Sequence, residues 1–272
     1  MNCAENQSEN YLQTTVMVQL NLKRFDPSRI GSDKVCVFIG KRGTGKSTLV
    51  TDIMYYKRNI PIGVVMSATE DGNHYYKQFI PDLFIHGDYN KAVIERVIDR
   101  QKKCVSKGST SPAFILLDDC MYDKSFLKDT CIRQSFMNGR HWKIFFMLTM
   151  QYCMDLSPDL RANVDYVFIL REPVISNREK LWRSFFGIFP TFHMFNDVMD
   201  ACTENFECLV LDNTSRSNKI EDCVFYYKAK VRPPFRIGGP SMWKYHTRNY
   251  TEKSGPGPSV PRNKSGVIVK KE

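Results

Sequence analysis

No stretch of this 272-residue chain is both apolar and long enough to cross a bilayer. Runs such as 144–150 and 164–170 fall far short of the roughly 18 residues that a spanning helix needs, so no membrane-spanning segment is expected. No two of the nine cysteines stand as C-x-x-C, which removes the spacing of a zinc site or a disulfide framework. An odd cysteine count, with no signal-peptide pattern, leads to the expectation of a reducing compartment. The five histidines (His74, His86, His141, His193 and His246) are scattered, so imidazole ligation of a metal is not expected. No segment repeats. Acidic residues are scarce at one end only: from Lys230 onward ten Lys and Arg face Glu252 and Glu272 alone. Eight of the ten net positive charges therefore sit in the last 43 residues, and the body is nearly neutral. Such an end suits a polyanion such as nucleic acid, or serves as a solvated tail.

What is present is an ordinary globular composition, 42% hydrophobic and 25% charged, with enough chain for one large domain. Its most informative stretch is an apolar, β-branched run, 35–39, that feeds Gly40, Lys41, Arg42, Gly43, Thr44, Gly45, Lys46 and Ser47. That is G-x-x-x-x-G-K-[ST], and the residues from Thr48 to position 55 read as a helix, the strand–loop–helix context of a P-loop. Glycines let the backbone curl until successive N–H groups point at phosphate oxygens, with the positive end of the helix dipole behind them. Residues 40–48 are thus expected to hold ATP, Lys46 to reach the β- and γ-phosphates, and the Ser47 hydroxyl to ligate Mg²⁺.

In chain order, residues 1–14 are expected to be a flexible N-terminus and 15–232 the P-loop ATPase domain. The strand candidates are 15–22, 35–39, 62–66, 83–85, 113–117, 143–150 and 164–170, with a late β-hairpin made by 208–211 and 223–227. Helices are expected after the P-loop and over 90–105, 124–138, 178–186 and 192–202, with Gly139 as a left-handed C′ glycine. Strands apolar along their whole length, alternating with helices, imply an α/β fold with a mostly parallel sheet covered on both faces. From 233 to 272 the Pro, Gly, Lys and Arg content reads as a basic C-terminal tail, disordered at least from 254.

A hydrolytic P-loop site needs a second metal-binding element. Asp118 ends the apolar run 113–117, where a Walker B aspartate would hold Mg²⁺ opposite Ser47. Asp119 follows, placed to orient or deprotonate an attacking water, or else an exposed turn carboxylate. Gln151 ends the run 143–150, where it would touch both γ-phosphate and water, or simply face solvent. Arg140 follows a helix end and is a candidate arginine finger for a neighbouring subunit; Arg133 and Arg161 compete for that role.

Further stretches come in a fixed order around these: 25–28, Arg100 and Gln101, 116–120, 138–141, 150–152, 161–163, 208–213 and 224–228. Together they resemble the genome-packaging ATPases of nucleocytoplasmic large DNA viruses, a branch of the FtsK–HerA superfamily, over about residues 16–230. The resemblance implies a RecA-like, additional-strand P-loop ATPase, a ring homo-oligomer (pentamer or hexamer) that pumps double-stranded DNA into a preformed capsid. It assigns Asp118 to the metal, Asp119 to the base, Gln151 to the sensor and Arg140 to the finger. It also implies a capsid or vertex protein as partner, and the viral factory of the host cytoplasm, or the virion, as location. Asp119 departs from the Glu commoner at that position in the wider superfamily. Two other readings remain: a small-molecule kinase, for which no arginine-rich lid is visible, and a nucleotide-gated DNA-binding scaffold without turnover. A GTPase would need Asn-Lys-x-Asp, and the nearest approach, 218–221, ends in Glu221.

Overall fold

The computed structural model describes residues 19–120, 124–152 and 156–250. Its strands are β1 (Lys23–Arg24), β2 (Val35–Ile39), β3 (Ile62–Ser67), β4 (Ile85–His86), β5 (Ala113–Asp118), β6 (Ile144–Met150), β7 (Tyr166–Ile169), β8 (Glu207–Asp212) and β9 (Val224–Lys228). They form a single sheet in the order β1-β9-β8-β7-β2-β6-β5-β3-β4. Pairing is parallel throughout except at β7–β8 and β8–β9. The strands β2, β5, β6 and β7 are buried at every position, so both faces need cover.

The helices supply it: α1 (Lys46–Tyr56), α2 (Glu70–Asn73), α3 (Lys91–Ser106), α4 (Thr130–Asn138), α5 (Pro158–Arg161), α6 (Ile175–Phe185), α7 (Phe192–Cys202), α8 (Ile220–Cys223) and α9 (Pro240–Asn249). Alternation along β2 sends Val35, Val37 and Ile39 to the face covered by α3, α4, α6 and α7. Cys36 and Phe38 go to the other face, under α1 and α9. No helix among the described residues is long and apolar enough to cross a membrane.

Several boundaries differ from expectation. Of the strand expected over 15–22, residues 19–22 are not in a strand and β1 begins just after them, at Lys23–Arg24; residues 15–18, like the N-terminus 1–14, lie outside the described residues. The strand expected at 83–85 is a 3-10 turn, Asp82–Phe84, followed by β4. The helix expected over 124–138 breaks at Asp129, whose extended backbone (φ −62°, ψ 137°) separates a 3-10 turn from α4. Gly139 is right-handed (φ −53°, ψ −39°) rather than a left-handed cap. Close approach is what demands glycine there, because a Cβ would sit 2.3 Å from the Ser135 carbonyl oxygen.

The chain also stays on the domain beyond 233, where a tail was expected to begin. The Ile237 and Gly239 amides donate to the Phe79 and Pro61 carbonyls at 3.0 and 2.7 Å. Phe235 stacks on Phe79 with ring centroids 4.9 Å apart, and Ile237 and Met242 are buried. These apolar residues are too widely spaced among Pro, Gly and Arg to give a periodic signal, yet each finds its own slot. Residues 251–272, the rest of that stretch, lie outside the described residues.

A buried carboxylate ties α1 to the chain after β9. Asp52 accepts hydrogen bonds from the Tyr227 hydroxyl at 2.6 Å, the Lys230 amide at 2.8 Å and the Arg232 Nε. The Arg232 guanidinium lies 4.4 and 4.7 Å from the ring centroids of Tyr55 and Tyr56. A charge with no solvent exposure is tolerable only when its lone pairs are taken up in this way.

Candidate functional site

At the carboxyl end of β2 the chain turns through Gly43 (φ 80°) and Gly45 (φ 94°), a left-handed backbone that glycine adopts freely, and enters α1. The Leu49 amide donates to the Gly45 carbonyl, so the Lys46, Ser47 and Thr48 amides before it have no intrahelical acceptor and are available to an anion. Lys46 bends back over the loop, its Nζ donating to the Gly40 carbonyl at 2.6 Å. The Thr44 hydroxyl bonds the Lys41 carbonyl at 2.7 Å. Gly40 and Thr44 therefore shape the loop from beneath, while Lys41, Arg42, Gly43, Gly45, Lys46, Ser47 and Thr48 line a cleft of about 740 Å³.

The cleft's far wall contains Asp118, Asp119 and Gln151. They converge because β6 lies between β2 and β5, so the tips of all three strands adjoin. Thr149 joins them: its hydroxyl donates to Asp118 Oδ1 at 2.7 Å and accepts from the Asp119 amide at 3.0 Å. Tyr76 donates its hydroxyl to Asp118 Oδ2 at 2.8 Å, and Gln151 Nε2 donates to Asp119 Oδ1 at 2.9 Å. The sequence reading missed Thr149 and Tyr76. A hydroxyl two residues before Gln151 in an otherwise apolar strand is a signal for Thr149; Tyr76, on a 3-10 turn 42 positions before Asp118, offers none.

Asp119 has left-handed backbone, φ 54°. Asp and Asn tolerate that region better than longer side chains, which gives a physical reason for Asp rather than Glu at this position.

Burial raises the Asp118 carboxyl above its ordinary value of 3.8, opposed by the hydrogen bonds from Thr149 and Tyr76. Burial likewise lowers the Lys46 ammonium, opposed by the charges of Asp119 and Asp118. For Asp118 the folded value exceeds the ordinary one, so the protonated carboxyl favours the fold. That stabilisation is complete below the ordinary value and is lost as pH rises through the folded one. Asp118→Asn is uncharged and can still bond both hydroxyls. Thermal melts of the nucleotide-free protein at neutral pH are expected to show an unchanged or higher Tm. The difference should shrink as pH falls towards the ordinary carboxylate value. A clear drop in Tm at neutral pH would contradict this balance.

The donor set fits Mg²⁺. The Ser47 hydroxyl and the Asp118 and Asp119 carboxylates are hard oxygen donors, and among the described residues no His or Cys lines the cleft. Among the described residues no three His, Cys, Asp or Glu side chains gather to chelate a metal by themselves. Mg²⁺ generally keeps several waters and is held by one or two carboxylates together with substrate phosphates.

Arg140 is not in this cleft. It is half exposed, with Nη2 3.5 Å from Asp165 Oδ1. The second Asp165 oxygen accepts the Val35 amide at 2.9 Å, which places the pair at the amino end of β2, opposite the P-loop. Arg133 pairs with Asp159 at 2.6 Å, and Arg161 donates to the Leu156 carbonyl at 2.9 Å. None of the three lines the cleft of its own chain.

A P-loop at the tip of one strand, an acidic pair at the tip of another and an extra strand between them define the additional-strand P-loop fold of the RecA-like kind. No family model matches the chain. It is 38% identical over 247 residues to the uncharacterized protein L437 of Acanthamoeba polyphaga mimivirus, covering 87% of each. It is also 38% identical over 214 residues to protein 088R of Invertebrate iridescent virus 3, covering 78% of this chain and 82% of that protein. The chain belongs to this family of proteins of nucleocytoplasmic large DNA viruses, the group its motifs resemble. Among solved structures, the genome packaging NTPase B204 of Sulfolobus turreted icosahedral virus 2, in complex with AMPPCP, superimposes with a TM-score of 0.54. That match has 15% identity and covers 74% of this chain and all of B204, a likeness of fold.

Proposed function

We propose that this protein is an ATP-hydrolysing motor that translocates double-stranded viral DNA into a preformed capsid, working as a ring homo-oligomer of five or six copies. The observation that carries the reading is the bonded set Asp118–Thr149–Asp119–Gln151 facing Lys46 across one cleft. In this reading the P-loop amides and Lys46 bind the β- and γ-phosphates, and Ser47 and Asp118 hold Mg²⁺, which would neutralise charge on the phosphates. Asp119 orients the attacking water and takes its proton. Gln151, tethered to Asp119, responds to whether the γ-phosphate is present. Arg140 completes a neighbour's site, consistent with its place at the opposite end of the strands from its own cleft.

The DNA-handling part draws support from the viral family, from the likeness to a packaging NTPase and from the basic C-terminal end. A capsid or vertex protein is the implied docking partner, and the viral factory of the host cytoplasm, or the virion, the implied location. Deleting 251–272, which removes Lys253, Arg262, Lys264, Lys270 and Lys271, is expected to spare basal hydrolysis. It should weaken stimulation by duplex DNA and make what remains less salt-sensitive. ATPase assays across a salt series, with and without duplex, check this; unchanged DNA stimulation would leave the segment a solubility appendage.

A further inference from the structure

One part of the cleft is built for neither phosphate nor metal. Phe206 is 67% exposed and Val231 90% exposed, the highest values for large hydrophobic residues among those described, and both line the P-loop cleft. Their meeting follows from the topology. β8 runs antiparallel to β7, so the residue before it lies at the P-loop end of the sheet. Glu207 pairs with Lys228, the last residue of β9, which brings the chain through Ala229 to Val231 to the same end.

Neither side chain is there by slack. Asn205 (φ 51°) and Phe206 (φ 64°) are consecutive non-glycine residues in left-handed backbone, uncommon for any residue and least expected for a bulky one. That turn sets the ring against the loop: a Cβ on Gly45 would lie 3.3 Å from Phe206 Cδ1. Val231 is fixed from both sides, since the Lys230 amide and the Arg232 guanidinium are both bonded to buried Asp52.

An apolar ring and a branched aliphatic side chain left in water in the same cleft as a phosphate cradle suit the flat base of the nucleotide whose phosphates the cradle holds. We propose that Phe206 and Val231 form the base-binding wall of the site, the phenyl ring offering a stacking face to adenine and Val231 an apolar rim. The inference rests on reading the P-loop as a triphosphate cradle, and it adds to that reading the group that separates a nucleotide from a bare polyphosphate.

The test compares ATP with inorganic tripolyphosphate, which has the charge but no base. Phe206→Ala is expected to weaken ATP binding about tenfold or more while leaving tripolyphosphate affinity unchanged. Phe206→Trp should keep ATP affinity, and its fluorescence should respond to ATP and not to tripolyphosphate. Unchanged ATP affinity in F206A, with tripolyphosphate still bound, would overturn the proposal. So would an equal loss for both ligands, which would make the ring a prop for the loop. A change in oligomer mass without a change in ATP affinity would mean that the ring is covered by a second copy instead. Tripolyphosphate failing to bind the wild-type protein would overturn the cradle reading itself, and this proposal with it.

Discussion

Replacing Asp119 with asparagine is expected to leave ATP binding within a few-fold of wild type and to lower turnover about 10²–10⁴-fold, the usual contribution of a positioned general base. The substitution isolates the chemistry from the fold. Asn accepts the left-handed backbone at φ 54° as readily as Asp. Its amide oxygen can still accept the Gln151 hydrogen bond, and the Asp119 amide bond to Thr149 does not involve the side chain. What disappears is the negative charge that takes up a proton from water. Binding of a fluorescent ATP analogue beside steady-state phosphate release separates the two quantities. Wild-type turnover in the variant would remove Asp119 from the chemistry. A wild-type protein that binds ATP and never releases phosphate would point to a nucleotide-gated scaffold.

Arg140→Ala is expected to produce the other large effect, a loss of about 10³–10⁵ in turnover by the assembled oligomer, with ATP binding by the isolated subunit unchanged. Stability should hardly move. Arg140 is half exposed, its contact with Asp165 is long, and Lys34 still faces the same carboxylate at 3.4 Å. The decisive form of the experiment mixes Arg140→Ala subunits with Lys46→Ala subunits. The first have an intact cleft and no finger, the second a finger and no working cleft. If the arginine acts across an interface, mixed rings recover activity that neither variant has alone. No recovery, with mixed assembly shown by mass, would leave Arg140 a surface partner of Asp165 and return the question to Arg133 and Arg161.

The P-loop was readable from sequence because its chemistry is local: eight consecutive residues must make one backbone shape. The parallel sheet is readable because its central strands are apolar at nearly every position, a pattern that two-sided burial demands. Tyr76 was invisible because its partner Asp118 is brought near by the sheet, not by spacing. Gly139 looked like a left-handed cap because helix-ending glycines so often are; here crowding against Ser135 selects the residue instead. In 233–250 Pro, Gly and Arg signal a tail, whereas burial of Ile237 and Met242 keeps the segment on the domain. Phe206 gives no signal in sequence for a similar reason. An aromatic residue at a strand start is ordinary in sequence, and only its exposure beside the P-loop makes it conspicuous.

A motor driven by ATP on DNA shows itself in the ATP turnover of the assembled oligomer, measured with and without duplex DNA at several salt concentrations. Duplex is expected to raise turnover, and the stimulation to decline steeply as salt rises, because phosphate contacts release counterions. Turnover that is indifferent to DNA at every salt concentration would rule out a DNA-coupled motor.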